Sequence, residues 1–529
     1  MKKNNILMFI GAVLLLFATS CSDFLDQEPE SKPSPEAIFK DPKATNAYVL
    51  GLYKQWRDCH KPRSDYYLGT DEIKLGGVQY RDNQNRRGIE LYNNELSSTN
   101  GIALDLWKSR FELAAGATLA IDNLVAKEES NEDMALYLGE AYAMRAACYF
   151  ELVQNYGEIP LKNSEVVAES GSKRQPLSVV YAKIESDLLN AIRLLPEPLD
   201  SKYTDKRRFS KAFAHAMLGK TYLYALDGSN FRDYEKAAEQ FKIVYENPAF
   251  GRTGASKPSV IFDYTGKTDN TAEYEMEMVY AFRFSNVRDD NSGAQWDVGS
   301  RAVAIMTDDE ATIYFAGFDA VMPTAYCYST VAEGGIWEPG DYRKEVSIRY
   351  DFTYKGRTPV ISGYCYGDEL DPHIKKYEDH RTEDLGLNTW HSGKNIPYIR
   401  FADVVLCYGE CLYFSGKQAD GIKLINEKIR ARAFQSRPSG SNMWPTNLDS
   451  EEFMKRLMDE RMRELCFEGW RRMDLIRTGK VKEYVPKRNS WFLEKGFTTV
   501  DEDRYRFPIP LDELRMNPDL TDEDQNNGY

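Results

Sequence analysis

A chain of 529 residues with 82 acidic against 68 basic side chains carries a net charge of -14. No long single-sign run stands out, so nothing offers phosphates the counterion release on which nucleic-acid binding depends. Eight irregularly spaced cysteines in so long a chain do not make a disulfide framework. Five histidines leave few donors for metal or triad chemistry.

The opening MKKNNILMFIGAVLLLFATSC has the three parts of a secretory signal: Lys2 and Lys3, an apolar run from Ile6 to Phe17, and the small residues Ala18, Thr19 and Ser20 before Cys21. The apolar run falls short of the roughly 20 residues a membrane-spanning helix takes. A signal ending directly on cysteine resembles the bacterial lipobox, with Ala18 where Leu is more usual. The expectation is a signal peptide over 1–20, lipidation of Cys21 and a polar tether over 21–43. Several acyl chains hold a protein on a membrane where one gives only marginal binding.

Helical periodicity dominates from 44 to 250. Met134, Leu138, Ala141, Cys148 and Leu152 fall along one face, and Gly157 and Pro160 in NYGEIP end that helix. Over 211–248, Leu218, Gly219 and Tyr222 have the spacing of a tetratricopeptide first helix, and Ala237, Phe241 and Pro248 match its second helix and stop. One such unit cannot bury its own face, so neighbouring pairs are required. The candidates are 44–59 with 105–126, 132–154 with 176–195, and 400–415 with 418–434, where Gln418, Ile422, Ile425 and Ile429 share a stripe. Between 251 and 395 the stripes give way to Gly, Pro, Asn, Asp and Tyr. Strands are expected at 277–284 and 346–354 inside a folded insertion, since a structureless loop of that length is improbable. Over 396–529 helical reading resumes, with Met454, Met458, Met462 and Leu465 on one face, followed by a strap at Phe507-Pro508-Ile509-Pro510.

Chemical motifs are sparse. Gly266-Lys267-Thr268 lacks the earlier Gly of a P-loop, Ile261 standing in its place, and there is no Gly-x-Ser-x-Gly elbow. His373, His380 and His391 fall near Asp368, Glu369, Asp371, Asp379 and Asp384. Oxygen ligands there would suit a structural cation such as calcium. Their spacing matches no ligand pattern, so a solvated acidic loop and no cofactor are expected. Cys407 and Cys411 at i, i+4 have no partner pair and read as core. Nothing argues for catalysis. Trp107 and Trp470 sit on helical segments and read as core. Trp296, Trp337 and Trp390 lie instead in AQWDVG, GIWEPGDY and NTWHSG, beside polar residues. An indole face stacks on the apolar C–H face of a sugar while Asp, Asn and Arg bond its hydroxyls. Packing of the insertion onto the helices is the competing reading for each.

Several segments, in order, resemble the SusD/RagB family of outer-membrane nutrient-binding lipoproteins: CSDFLDQEP after the signal, RAACYFELVQNYGEIPL at 145–161, IRFADVVLCYGECLYFSGKQADGIKLINEKIRARA at 399–433, ERMRELCFEGWRRMDLIRTGK at 460–480, and the closing FPIPLDELRMNPDLTDEDQNNGY. The resemblance implies a mainly α protein, in which a tetratricopeptide-like helical-pair superhelix carries a variable, loop-rich α+β insertion. It implies an oligosaccharide ligand, a SusC-like TonB-dependent transporter as partner, a lipid anchor on the outer membrane facing outward, and no enzymatic activity. Trp296, Trp337 and Trp390 are then the candidate stacking platforms, with Tyr66, Tyr67 and Asp71 added by position after the first helix. A peptide-capturing subunit on the same scaffold and a scaffold that binds no small ligand are the alternatives.

Overall fold

The computed structural model describes residues 34–61, 64–129, 131–162, 164, 171–201, 203–251, 271–299, 317–350, 371–379, 381–384, 391–434 and 442–529. Cys21, Trp390 and His380 lie outside them.

Eight helices pack serially, each against the next: α1 (Pro42–Cys59), α2 (Gly101–Leu124), α3 (Glu132–Tyr156), α4 (Leu177–Leu194), α5 (Lys211–Leu223), α6 (Tyr234–Glu246), α7 (Phe401–Phe414) and α8 (Gln418–Ile425). The starts are written in the sequence. Asp41 caps α1 through Ala44 N–H at 2.9 Å with Pro42 at the first turn, Asn100 caps α2 and Asn131 caps α3. α3 is buried over almost its whole circumference because neighbours cover it on both sides. Its polar residues are therefore paired, as where Arg145 forks onto Asp187 at 2.7 and 2.8 Å.

The α5–α6 pair has the tetratricopeptide geometry expected. A Cβ on Gly219 would lie 2.8 Å from the Phe241 ring, so the absent side chain is what lets these helices meet. The α7–α8 pair meets more closely still, because a Cβ on Gly421 would lie 2.4 Å from the Gly409 carbonyl oxygen. α8 continues into a π-helical turn (Asn426–Arg430) that keeps Ile429 on the buried stripe with Ile422 and Ile425.

α6 packs directly on α7 although some 150 residues separate them in sequence. The excursion leaves and returns through one antiparallel pair, β2 (Met278–Phe282) with β4 (Ile396–Arg400). The expected strand at 277–284 is thus shorter, and a helical turn (Ala272–Glu277) precedes it. Of the strand expected at 346–354, Ile348–Arg349 pairs with His373–Ile374, and the part beyond 350 is outside the described residues. A further ladder went unread in the sequence: β1 (Ile73–Leu75), in the loop after α1, pairs antiparallel with β3 (Val321–Pro323).

α9 (Ser450–Leu465) and α10 (Arg471–Arg477) close the molecule. Glu460 and Glu464 on α9, and Glu468 just past its end, meet Arg343, Arg400 and Arg430 in a buried network that joins insertion, β4 and the turn after α8 to α9. Burial pushes the Glu464 carboxyl upward, but Arg432, Arg400 and Arg343 outweigh it and hold it well below the usual carboxylate range. The strap is buried at Phe507, whose N–H donates to the Asn155 carbonyl at 2.7 Å. No helix among the described residues is long and apolar enough to cross a membrane.

Candidate functional site

Trp296 sits on a one-turn helix, Ala294–Val298, within the insertion. Its carbonyl accepts the Phe318 N–H at 2.8 Å, the Asp297 carbonyl accepts from Ala320 at 2.9 Å, and the Gly299 carbonyl accepts from Asp319 at 3.1 Å. These bonds lay 317–320 along the helix and leave the Trp296 and Phe318 rings near-parallel, 6.3 Å apart with planes 16° from each other. Trp296 is half-buried and Phe318 is 42 % exposed. The underside is rigid. Asp319 is held at 2.9 Å from His373 Nε2, Gln295 Oε1 accepts the Asp379 N–H at 2.9 Å, and Ala320 leads straight into the β1–β3 ladder. Two near-parallel aromatic planes on a hydrogen-bonded base offer stacking surface.

The other sequence-derived candidates are placed differently. Trp337 is 1 % exposed, and its Nε1–H donates to the Cys327 carbonyl at 2.6 Å. It is a core residue, and the stacking role expected of it is withdrawn, because its ring already packs and its polar atom is already bonded. Asp71 is likewise withdrawn as a ligand contact. It is wholly buried, gripped by Arg471 at 2.7 and 2.7 Å and by Arg488 at 3.0 Å. Burial raises the Asp71 carboxyl, but the two arginines outweigh this and keep it below its ordinary value. Tyr67, half-buried in a turn of 3₁₀ helix (Ser64–Tyr67), packs on Gly469 and lines an internal cavity. Tyr66 shares that turn, but its side chain is outside the described residues. Trp390 itself is outside the described residues; after it, the Ser392 carbonyl accepts the Ser292 N–H at 2.8 Å. Phe318 was missed, because only tryptophans were weighed in the insertion although FAGFD is as turn-rich as its neighbours.

The profile described as "SusD family" matches residues 336–529, and one described as "Starch-binding associating with outer membrane" matches 23–223. The chain belongs to the SusD/RagB family. SusD-like protein P2 of Formosa agariphila is 27 % identical over 528 residues, covering 96 % of this chain and 97 % of the relative. The fold is shared with a SusD homolog from Bacteroides thetaiotaomicron, with a TM-score of 0.76 at 22 % identity over 94 % of this chain and 98 % of that one. It is shared too with surface glycan-binding protein A of the same organism, solved in complex with laminarihexaose. There the TM-score is 0.68 at 17 % identity, over 92 % and 99 %.

The SusD-like motif at 460–480 is scaffold, as its burial shows. Its charges are engaged separately. Glu468 pairs with Lys376 and Arg400, Arg471 with Asp71, and Arg472 hydrogen-bonds to neutral acceptors. Of the acidic loop of the insertion, Asp368, Glu369, His380 and the side chain of Asp384 lie outside the described residues. His373 and Asp371 are buried, the latter on Lys74 at 2.8 Å, and Asp379 is buried on Arg381. Asp371 and Asp379 are thus engaged by cations of the chain itself, and no metal-ligating cluster occurs among the described residues.

Proposed function

We propose that this chain is a cell-surface lipoprotein, anchored through lipid on Cys21, that captures oligosaccharides at the Trp296–Phe318 face and delivers them to a SusC-like TonB-dependent barrel in the outer membrane. It acts by binding and breaks no bond. The observation that carries the reading is the pair of accessible, near-parallel rings on a rigid base within the insertion. Family membership and a glycan-complexed protein of the same fold support it. Sugar C–H faces lie on the rings. The helical stack leaves the insertion free to vary with the cargo.

The test is a titration of the purified protein against panels of neutral glycans, acidic glycans and peptides. Saturable binding of a glycan class, with the saccharide recovered intact, is the expected result. Binding of peptides alone would replace this reading with that of a peptide-capturing subunit, and turnover of a bound saccharide would end it.

A further inference from the structure

The β2–β4 neck, α1, α2, α3 and the start of α10 enclose a cavity of about 60 Å³, lined among others by His60, Arg110, Glu151, Tyr398, Trp470 and Arg472. That is room for a few water-sized groups. One wall is electrically balanced. Glu151 takes Arg110 Nε at 2.5 Å on one oxygen, and His60 Nε2 at 3.0 Å and the Tyr398 hydroxyl at 2.9 Å on the other. The opposite wall is not.

Arg472 is 2 % exposed. Its Nη1 donates to Asn155 Oδ1 at 3.0 Å and its Nη2 to the Tyr505 carbonyl at 2.7 Å, both uncharged acceptors. Its Nε has no hydrogen-bond partner among the described residues, and its guanidinium lies 4.4 Å from the centre of the Phe507 ring. Every other buried arginine among the described residues is ion-paired to Asp or Glu, as at Arg110, Arg145, Arg343, Arg400, Arg461 and Arg477. The remaining carboxylate of the cavity, Glu468, is already held by Lys376 and Arg400. A guanidinium does not shed its proton in a protein, and an uncompensated buried charge is costly.

We infer that the cavity holds a small monovalent anion, of the size of chloride or formate, against Arg472. The anion completes the charge balance where the neck of the insertion meets the helical stack. Half-exposed Lys61, paired only loosely with Asp58 at 3.8 Å, lies in the same lining and favours its entry.

Crystals of the purified protein soaked in bromide will show an anomalous peak in this cavity beside Arg472. In solution, replacing gluconate by chloride at constant ionic strength will raise the apparent Tm by about 2 °C between about 1 and 100 mM. Arg472→Lys will keep the dependence, and Arg472→Gln will abolish both peak and dependence. Should Arg472→Gln fail to fold, the wild-type map and chloride series decide alone. An empty map with a flat series means that water fills the cavity and overturns the inference, as does a peak or a dependence that persists unchanged in Arg472→Gln.

Discussion

Trp296 and Trp337 lie in equally turn-rich stretches, yet their environments assign them opposite work. Trp337→Ala removes a wholly buried indole and should cost about 3–5 kcal/mol of stability, read as a large drop in the denaturation midpoint. Trp296→Ala should leave that midpoint nearly unchanged. Local sequence did not separate them, because burial of a loop aromatic depends on which distant segment covers it. For Trp337 these are Cys327 and its neighbours, ten residues back. Asp71 failed as a candidate for a similar reason, since its partners Arg471 and Arg488 lie 400 residues away in the chain. Glu72 beside it gives a pH signature. Burial, helped by neighbouring Cys466 and opposed by the Phe467 N–H, pushes its carboxyl from 4.5 up to about 8. The folded state then holds a proton that the unfolded chain gives up. The associated stability is complete below about pH 4.5 and is lost as pH rises through 8. Glu90 and Glu140, both pushed up to about 7 by burial, act in the same sense. Melting temperature should therefore fall between pH 5 and 8, and Glu72→Gln should lessen the fall.

The helices were legible because their stripes repeat with the helical period and their starts carry Asp or Asn caps. Each expected pair occurs within a few residues of its place. α5 and α6 show why the match is more than composition. Gly219→Ala gains about 1 kcal/mol of helix propensity, yet puts a methyl group 2.8 Å from a buried ring. Overpacking of this kind typically costs about 1–3 kcal/mol, so a net loss in chemical denaturation is expected. Strands were less legible. β1 and β3 have three residues each, too few to show alternation, and every position is buried. Their pairing is set by contacts across 250 residues of sequence. The Trp296–Phe318 platform rests on that ladder, so it too was only half visible.

At the scale of the molecule, the insertion is tied to the stack by charge as much as by apolar contact. Arg400, at the end of the neck, donates to Glu277, Glu464 and Glu468 while fully buried. Arg400→Met removes a cation that Glu277, Glu464 and Glu468 share, leaving Glu464 to Arg343 and Arg432 and Glu468 to Lys376; it should cost about 3–5 kcal/mol, with limited proteolysis cutting the insertion before the helices. The fold is kept in a SusD homolog that shares 22 % of its residues. The resemblance of five ordered segments foretold the stack. It did not foretell the Trp296–Phe318 face, which is built where those segments are absent.

The proposal that cargo is held on the Trp296 and Phe318 rings is tested most directly by isothermal titration of wild type and Trp296→Ala with the saccharide that the panel identifies. A loss of affinity of at least tenfold, about 1.4 kcal/mol, with an unchanged melting temperature, is the predicted result. Equal affinity in the two proteins would contradict it.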